Sequence, residues 1–221
     1  MGKRTAYGGC LLLGGDVNAL VIVDVQNDFC PGGALAVPEG DEVVPVANRL
    51  MPRFDLVVAT QDWHPADHVS FAANHPGREP LEVIEVDGLE QTLWPVHCVQ
   101  GTPGASLHRG LNLVGVERVF RKGGDPRVDS YSGFFDNGRR GATGLDEYLK
   151  ERGVEELYLC GLATNVCVRA TALDAVELGY TAYVIEDACR GVDIRPGDVG
   201  RAIDDMRREG VRIVRSADVT V

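Results

Sequence analysis

One pattern restricts the fold of this chain more than any other: short runs of aliphatic and β-branched residues alternate with segments spaced like amphipathic helices. Residues 19–25 (ALVIVDV) form a continuous apolar run, the signature of a strand buried on both faces of a parallel sheet. Val43, Val46, Ala47 and Leu50 then recur at helical spacing within 41–50, and residues 56–60 (LVVAT) return to the strand pattern. Further strands are predicted over 116–120, 157–160, 180–185 and 211–214. Helices are predicted over 143–152, with Thr143 as N-cap and an apolar face of Leu145, Tyr148 and Leu149, over 166–178, and over 199–208. Gly153, Gly179 and Gly210 follow the three helices.

Right-handed βαβ crossovers place helices on both faces of a sheet. The pattern therefore predicts an α/β single-domain, doubly wound (Rossmann-like), mostly parallel six-stranded sheet with helices on both faces. Residues 61–112, rich in Pro, Gly and His, break the rhythm and read as a long irregular stretch of the functional kind. Residues 1–17 read as a flexible, Gly-rich N-terminal extension, and 18–221 as the domain.

Composition excludes several classes. Twenty-two Lys and Arg against 33 Asp and Glu give a net charge of -11, which disfavours a nucleic-acid or anionic-membrane surface. No run approaches transmembrane length, and the apolar run near the N-terminus is too short for a signal peptide. The six cysteines (10, 30, 98, 160, 167 and 189) are scattered without a CxxC pair, which fits reduced thiols in a cytoplasmic protein. Neither a Walker A loop nor GxGxxG is present, so nucleotide binding has no support.

Ligands of doubly wound sheets bind beyond the carboxyl ends of the strands, and chemistry-bearing residues collect there. The first strand delivers Asp24, a carboxylate after an apolar run. The second delivers Asp62 and His64, which converge because residues i and i+2 of an extended chain share a side. Two His and one Asp suit a divalent cation that keeps open positions, and His97 in WPVHC is a candidate third ligand. The third strand ends near Lys122. In LYLCGLATNVCVR a strand, a tight bend and a helix start put Cys167 in a first helical turn, where the dipole favours thiolate. Each residue has a plain alternative: a capping Asp24, a solvated Lys122, a packing Cys167. Together they are a base, a cation and a nucleophile, the parts for covalent attack on a carbonyl.

Five segments occur in order: VDVQNDFCPGGAL, ATQDWHPADHVSFA, WPVHCVQGTPGA, RKGGDPRVDSYSGFFDN and GLATNVCVRATALDA. On these the chain, from about residue 19 to 214, resembles the nicotinamidases, or pyrazinamidases, of the isochorismatase-like cysteine hydrolases. The resemblance implies hydrolysis of nicotinamide to nicotinate and ammonia in NAD salvage, with pyrazinamide a further substrate. It places a catalytic triad on Asp24, Lys122 and Cys167, and one divalent ion (Zn first, with Fe and Mn compatible) on Asp62, His64 and His97. It implies an oxyanion hole from the N–H groups of Ala163 and Cys167, after a cis peptide at Leu162–Ala163. Phe29 and Trp94 match aromatic walls of a pyridine pocket, with Tyr131 nearby.

In the implied mechanism Asp24 takes the thiol proton and later passes it to ammonia, with Lys122 favouring the charged forms. Asn165 stands where many members carry Asp, and a geometric effect is expected. His68 is a candidate extra ligand or neighbour of the ligands. His75 and His108 match nothing and read as surface residues, and Cys30, Cys98 and Cys189 as packing. The alternatives are another amidase of the superfamily, acting on a carbamoyl or maleamate-type substrate, and a non-catalytic metal-binding or thiol redox module. Neither nucleic acid nor membrane is an expected partner, and the oligomeric state is open, a homo-oligomer included.

Overall fold

The computed structural model describes residues 17–221. The expected extension lies outside the described residues, apart from Val17, which opens the first strand. Strand β1 (Val17–Val23) leads through helix α1 (Val43–Leu50) to β2 (Leu56–Asp62). A hairpin of β3 (Val83–Val86) and β4 (Leu89–Thr92) follows, then β5 (Arg118–Lys122), α2 (Leu145–Glu151) and β6 (Val154–Leu162). A π-turn (Thr164–Val168), α3 (Arg169–Glu177), β7 (Thr181–Arg190), α4 (Asp198–Arg208) and β8 (Arg212–Val214) complete the chain.

The six-stranded sheet runs β5-β2-β1-β6-β7-β8, and every neighbouring pair is parallel. From β1 the chain winds outward to β2 and β5, and from β6 the opposite way to β7 and β8. The order therefore reverses between β1 and β6, and right-handed crossovers put α1 and α3 on opposite faces. The apolar run anticipated the central strand: Ala19 to Val23 are fully buried, and β2 is buried along its whole length. Helix α1 buries Val43, Val44, Ala47 and Leu50, and α4 buries Ala202 and Met206. Each such side chain contributes about 1.5–3 kcal/mol when fully removed from water.

The structure departs from the sequence expectations in several places, among them β6, which starts at Val154, and β7, which runs on to Arg190. Strands β2 and β5 run two residues further than expected, because Gln61 pairs with Arg121 and Asp62 with Lys122. Asp62 and Lys122 are thus strand residues with ladder-fixed directions. The stretch 61–112 is less irregular than it reads: Asp87 (φ 49) and Gly88 (φ 81) close the β3–β4 hairpin, whose signal is an Asp-Gly pair between short alternating runs. Gly144 occupies the N-cap position of α2, while Thr143 accepts the Leu145 N–H through Oγ1 (3.2 Å) and donates to Gly133 O (2.6 Å). The helix carrying Cys167 begins as the π-turn at Thr164 rather than near Val166.

Candidate active site

The carboxyl ends of four adjacent strands, β5, β2, β1 and β6, converge on one spot. Asp24 follows β1 with φ 47, a left-handed conformation that turns its carboxylate out of the strand. Thr60 on β2 donates its hydroxyl to Asp24 Oδ1 (2.6 Å). Lys122, fully enclosed, lies 2.9 Å from Asp24 Oδ2 and 2.5 Å from Asp62 Oδ1, and it donates to the Ser130 carbonyl (2.8 Å). Its Nζ is also 3.5 Å from Cys167 Sγ. Ligand atoms of Asp24, Asp62 and Cys167 fall within 4.8 Å of one another. The contact between Lys122 and Asp24 Oδ2 has ion-pair distance without hydrogen-bond geometry, so that buried oxygen receives no donated hydrogen bond. It is the atom free to take a proton.

Burial pushes the Asp24 carboxyl above the usual range, with Lys122 pulling against it and Asp62 adding to it. Burial acts likewise on Asp62, but Lys122, His64 and His97 outweigh it and hold that carboxyl well below the usual range. Lys122 would lose charge by burial, yet Asp24 and Asp62 keep its ammonium well above the ordinary lysine value. Cys167 corrects an expectation. Burial pushes its thiol well above the usual value; Lys122 opposes this, and Asp24 and Asp62 add to it. Desolvation here works against the thiolate that a first helical turn would favour.

Beside this group Asp62, His64 and His97 offer ligand atoms within 4.8 Å of one another, all buried. His64 Nε2 is 3.6 Å and His97 Nε2 3.9 Å from Asp62 Oδ2. The donor set fits a divalent cation on a structural criterion. His64 Nδ1 meets Gly123 O at 2.9 Å and His97 Nδ1 meets Pro95 O at 2.7 Å. A carbonyl only accepts, so each Nδ1 carries a proton, and each Nε2 is turned toward Asp62 Oδ2. Asp62 keeps Oδ1 on Lys122 and leaves Oδ2 for an ion. Together these residues could hold a divalent metal ion.

Gly123 (φ +67) makes the His64 contact possible, since a Cβ there would collide with ring atoms Nδ1 and Cε1. Gly123→Ala is expected to lower divalent-ion affinity by roughly 10–100-fold, the usual cost of losing a hydrogen-bonded support behind a ligand. Titration calorimetry of the metal-free protein measures it. Affinity equal to wild type would separate Gly123 from the metal site.

The remaining candidates divide. Phe29, Trp94, Tyr131, Ala163 and Cys167 all line one cavity of about 260 Å³, together with Asp62 and His97. Phe29 packs on the His97 ring with centroids 5.5 Å apart, and Trp94 Nε1 donates to Tyr131 Oη at 3.2 Å. The Leu162–Ala163 peptide is cis, as the resemblance implied. His68 stands outside the Asp62, His64 and His97 group: Ser70 Oγ and Val128 O occupy its two ring nitrogens at 2.7 and 3.3 Å. Its ring lies 4.1 Å from that of His64, and burial, then His64, pull its imidazole down to about 4. It packs against His64, and with His64 and Asp129 it offers a second set of ligand atoms within 4.8 Å of one another. His75 and His108 are half-buried and line none of this cavity. Cys30, Cys98 and Cys189 are buried and free, with thiols pushed up by burial; Cys10 lies outside the described residues.

Sequence reasoning missed the supports. The Gln26 amide donates to Asp62 O and accepts the Asp62 N–H, both at 2.8 Å, clamping the end of β2. Thr60 and Ser130 complete the surroundings of Asp24 and Lys122. Asp129 lines the cavity and is held by the Ser130 N–H (2.8 Å) and Gln91 Nε2 (3.0 Å). Gln26 falls inside a recognised segment, but no local signal marks any of these contacts, most of which join distant parts of the chain.

Residues 18–218 match the isochorismatase domain. The chain belongs to the isochorismatase family. It is 53% identical over 204 residues to the nicotinamidase of Escherichia coli (strain K12), covering 90% of this chain and 95% of that one. Among solved structures, a nicotinamidase/pyrazinamidase from Acinetobacter baumanii superposes with a TM-score of 0.90 at 48% identity, over 93% of this chain and 99% of that one. The pyrazinamidase of Pyrococcus horikoshii in complex with zinc gives a TM-score of 0.73 at 41% identity, over 90% and 98% of the two chains. No helix among the described residues is long and apolar enough to cross a membrane.

Proposed function

We propose that this chain is an amidohydrolase that converts nicotinamide to nicotinate and ammonia, and that it accepts pyrazinamide as well. The observation that carries the reading is the position of Cys167. Its sulfur lies 3.5 Å from the Lys122 ammonium at the wall of a cavity flanked by Phe29 and Trp94, beside the Asp62, His64 and His97 cluster. Similarity to the nicotinamidases supports the substrate.

Asp24 Oδ2 takes the thiol proton, and burial, by raising its carboxyl, makes it a stronger base than a solvated Asp. The Lys122 ammonium stabilises the thiolate as it forms. The thiolate adds to the carboxamide carbon, and the N–H groups of Ala163 and Cys167 hold the oxyanion, each such donor worth about 3–4 kcal/mol. Collapse breaks the C–N bond, and Asp24 returns its proton to the departing ammonia. A thioester to Cys167 remains. Asp24 then takes a proton from water as its oxygen adds to the thioester carbon; nicotinate leaves and the proton returns to sulfur. A divalent ion held by Asp62, His64 and His97 (zinc, by similarity to the Pyrococcus horikoshii protein) supplies a Lewis acid suited to a pyridine nitrogen. Phe29 and Trp94 fix the plane of the ring.

Ammonia release from nicotinamide, compared with release from aliphatic and carbamoyl amides, tests the substrate. A preference for the aliphatic amides overturns it. Removing divalent ions by chelation is expected to raise KM for nicotinamide at least about ten-fold, with recovery on adding zinc. Unchanged KM and kcat in the stripped protein would remove the ion from the reaction.

A further inference from the structure

The mouth of the cavity is formed in part by residues 191–197, the loop from β7 to α4, which carries Val192 and Ile194 into the wall. The loop is anchored at both ends. Near α4, Asp193 accepts the Val199 N–H (2.8 Å) and the Gly197 N–H (3.2 Å), and the Arg195 N–H donates to Asp198 (2.7 Å). At the other end the anchor is Asn165, in the π-turn that bears Cys167. Asn165 Nδ2 donates to Val192 O (2.9 Å) while Asn165 Oδ1 accepts the Val192 N–H (3.0 Å). The amide orientation follows from chemistry, since the Val192 carbonyl only accepts and its N–H only donates. One side chain thus pairs with both main-chain groups of one residue, as a neighbouring strand would. Gly191 permits the approach: a Cβ there would stand 2.8 Å from Asn165 Oδ1 and 2.6 Å from Val199 Cγ2.

We propose that Asn165 is a positioning residue that ties the pocket mouth to the nucleophile turn, holding Val192 and Ile194 in the wall that covers a pyridine carboxamide; this rests on the nicotinamide reading above. Two hydrogen bonds to one residue fix its rotation as well as its place. Ile194 is 45% exposed, so little packing holds it if that attachment is lost. An Asp at 165 has nearly the same shape and still accepts the Val192 N–H, but it gives up the bond to the Val192 carbonyl. An Ala at 165 loses both bonds. Cys167 keeps its own restraints, Lys122 Nζ at 3.5 Å and the Thr171 hydroxyl donating to its carbonyl at 2.7 Å. Substrate binding should suffer and chemistry should not.

The test compares Asn165→Asp and Asn165→Ala with the metal-replete wild type on nicotinamide. Asn165→Ala is expected to raise KM roughly five- to ten-fold, the scale of losing two such bonds, and Asn165→Asp by less, with kcat little changed in both. Amide hydrogen exchange over residues 191–197 reads the tie without substrate, and faster exchange is expected in both variants. KM unchanged in both variants, or a fall in kcat at constant KM, overturns the inference while leaving the nicotinamide reading intact. If the wild type releases no ammonia from nicotinamide, that reading fails by itself. Exchange over 191–197 then decides the tie alone, and exchange no faster than wild type overturns it.

Discussion

Cys167→Ala is expected to abolish ammonia release, by at least roughly a thousand-fold, while nicotinamide still binds. Among the described residues, Cys167 is the cysteine whose sulfur lies 3.5 Å from Lys122 Nζ. The substitution leaves the Lys122–Asp24 and Lys122–Asp62 pairs intact, so the buried charges remain compensated and the fold should survive. Phe29, Trp94 and the Asp62, His64 and His97 cluster are also untouched, so calorimetric affinity for nicotinamide should stay within a few-fold of wild type. Rapid quenching of the wild type during turnover should show the protein heavier by one nicotinoyl group, and the variant should never show it. Ammonia release by the variant at the wild-type rate would sink the covalent route.

Lys122→Met should be damaging in two ways. It removes the cation that opposes thiol burial, and it strands two enclosed carboxylates, Asp24 and Asp62. Breaking a buried pair from one side costs about 3–5 kcal/mol, a large share of the stability of a domain. Turnover should fall with it, because the thiolate at Cys167 loses the ammonium 3.5 Å from its sulfur.

The stability loss should depend on pH with a definite sign. Burial already raises the folded-state value of Asp24 above the unfolded carboxyl value of about 3.9, and loss of Lys122 raises it further. A raised carboxyl contributes stability that is full below the unfolded value and is lost as pH rises through the folded one. Asp62 in the wild type is the opposite case: its lowered carboxyl contributes stability present above the unfolded value and lost as pH falls. The gap between variant and wild type should therefore widen from about pH 4 towards neutrality. Urea melts of both proteins, stripped of divalent ions, measure it. A gap of equal size across that range would mean that the carboxylates do not depend on Lys122.

Much of the architecture was legible in the chain because it rests on local periodicity. The buried run at 19–25 and its successors marked the six parallel strands, and the rule that ligands gather at carboxyl ends selected Asp24, Asp62, Lys122 and Cys167. Boundaries were less legible. The last residues of β2 and β5 are strand because they pair with each other, and no property of Asp62 or Lys122 taken separately announces that. The β3–β4 hairpin did have a local signal in Asp87-Gly88, hidden within a stretch whose Pro, Gly and His content reads as irregular.

Order of elements and family thus follow from sequence alone, as does the choice of candidate reacting residues, since each depends on spacing or on motifs carried in short segments. The burial-raised thiol of Cys167, the lowered imidazole of His68, the clamp of Gln26 on Asp62 and the tie from Asn165 to Val192 were decided by tertiary structure. The physical reason is common to all four. Desolvation and hydrogen-bond geometry depend on groups brought together across the sheet, as when Lys122 reaches a sulfur 45 residues away, and a linear chain carries no record of which neighbours will exclude water from one another.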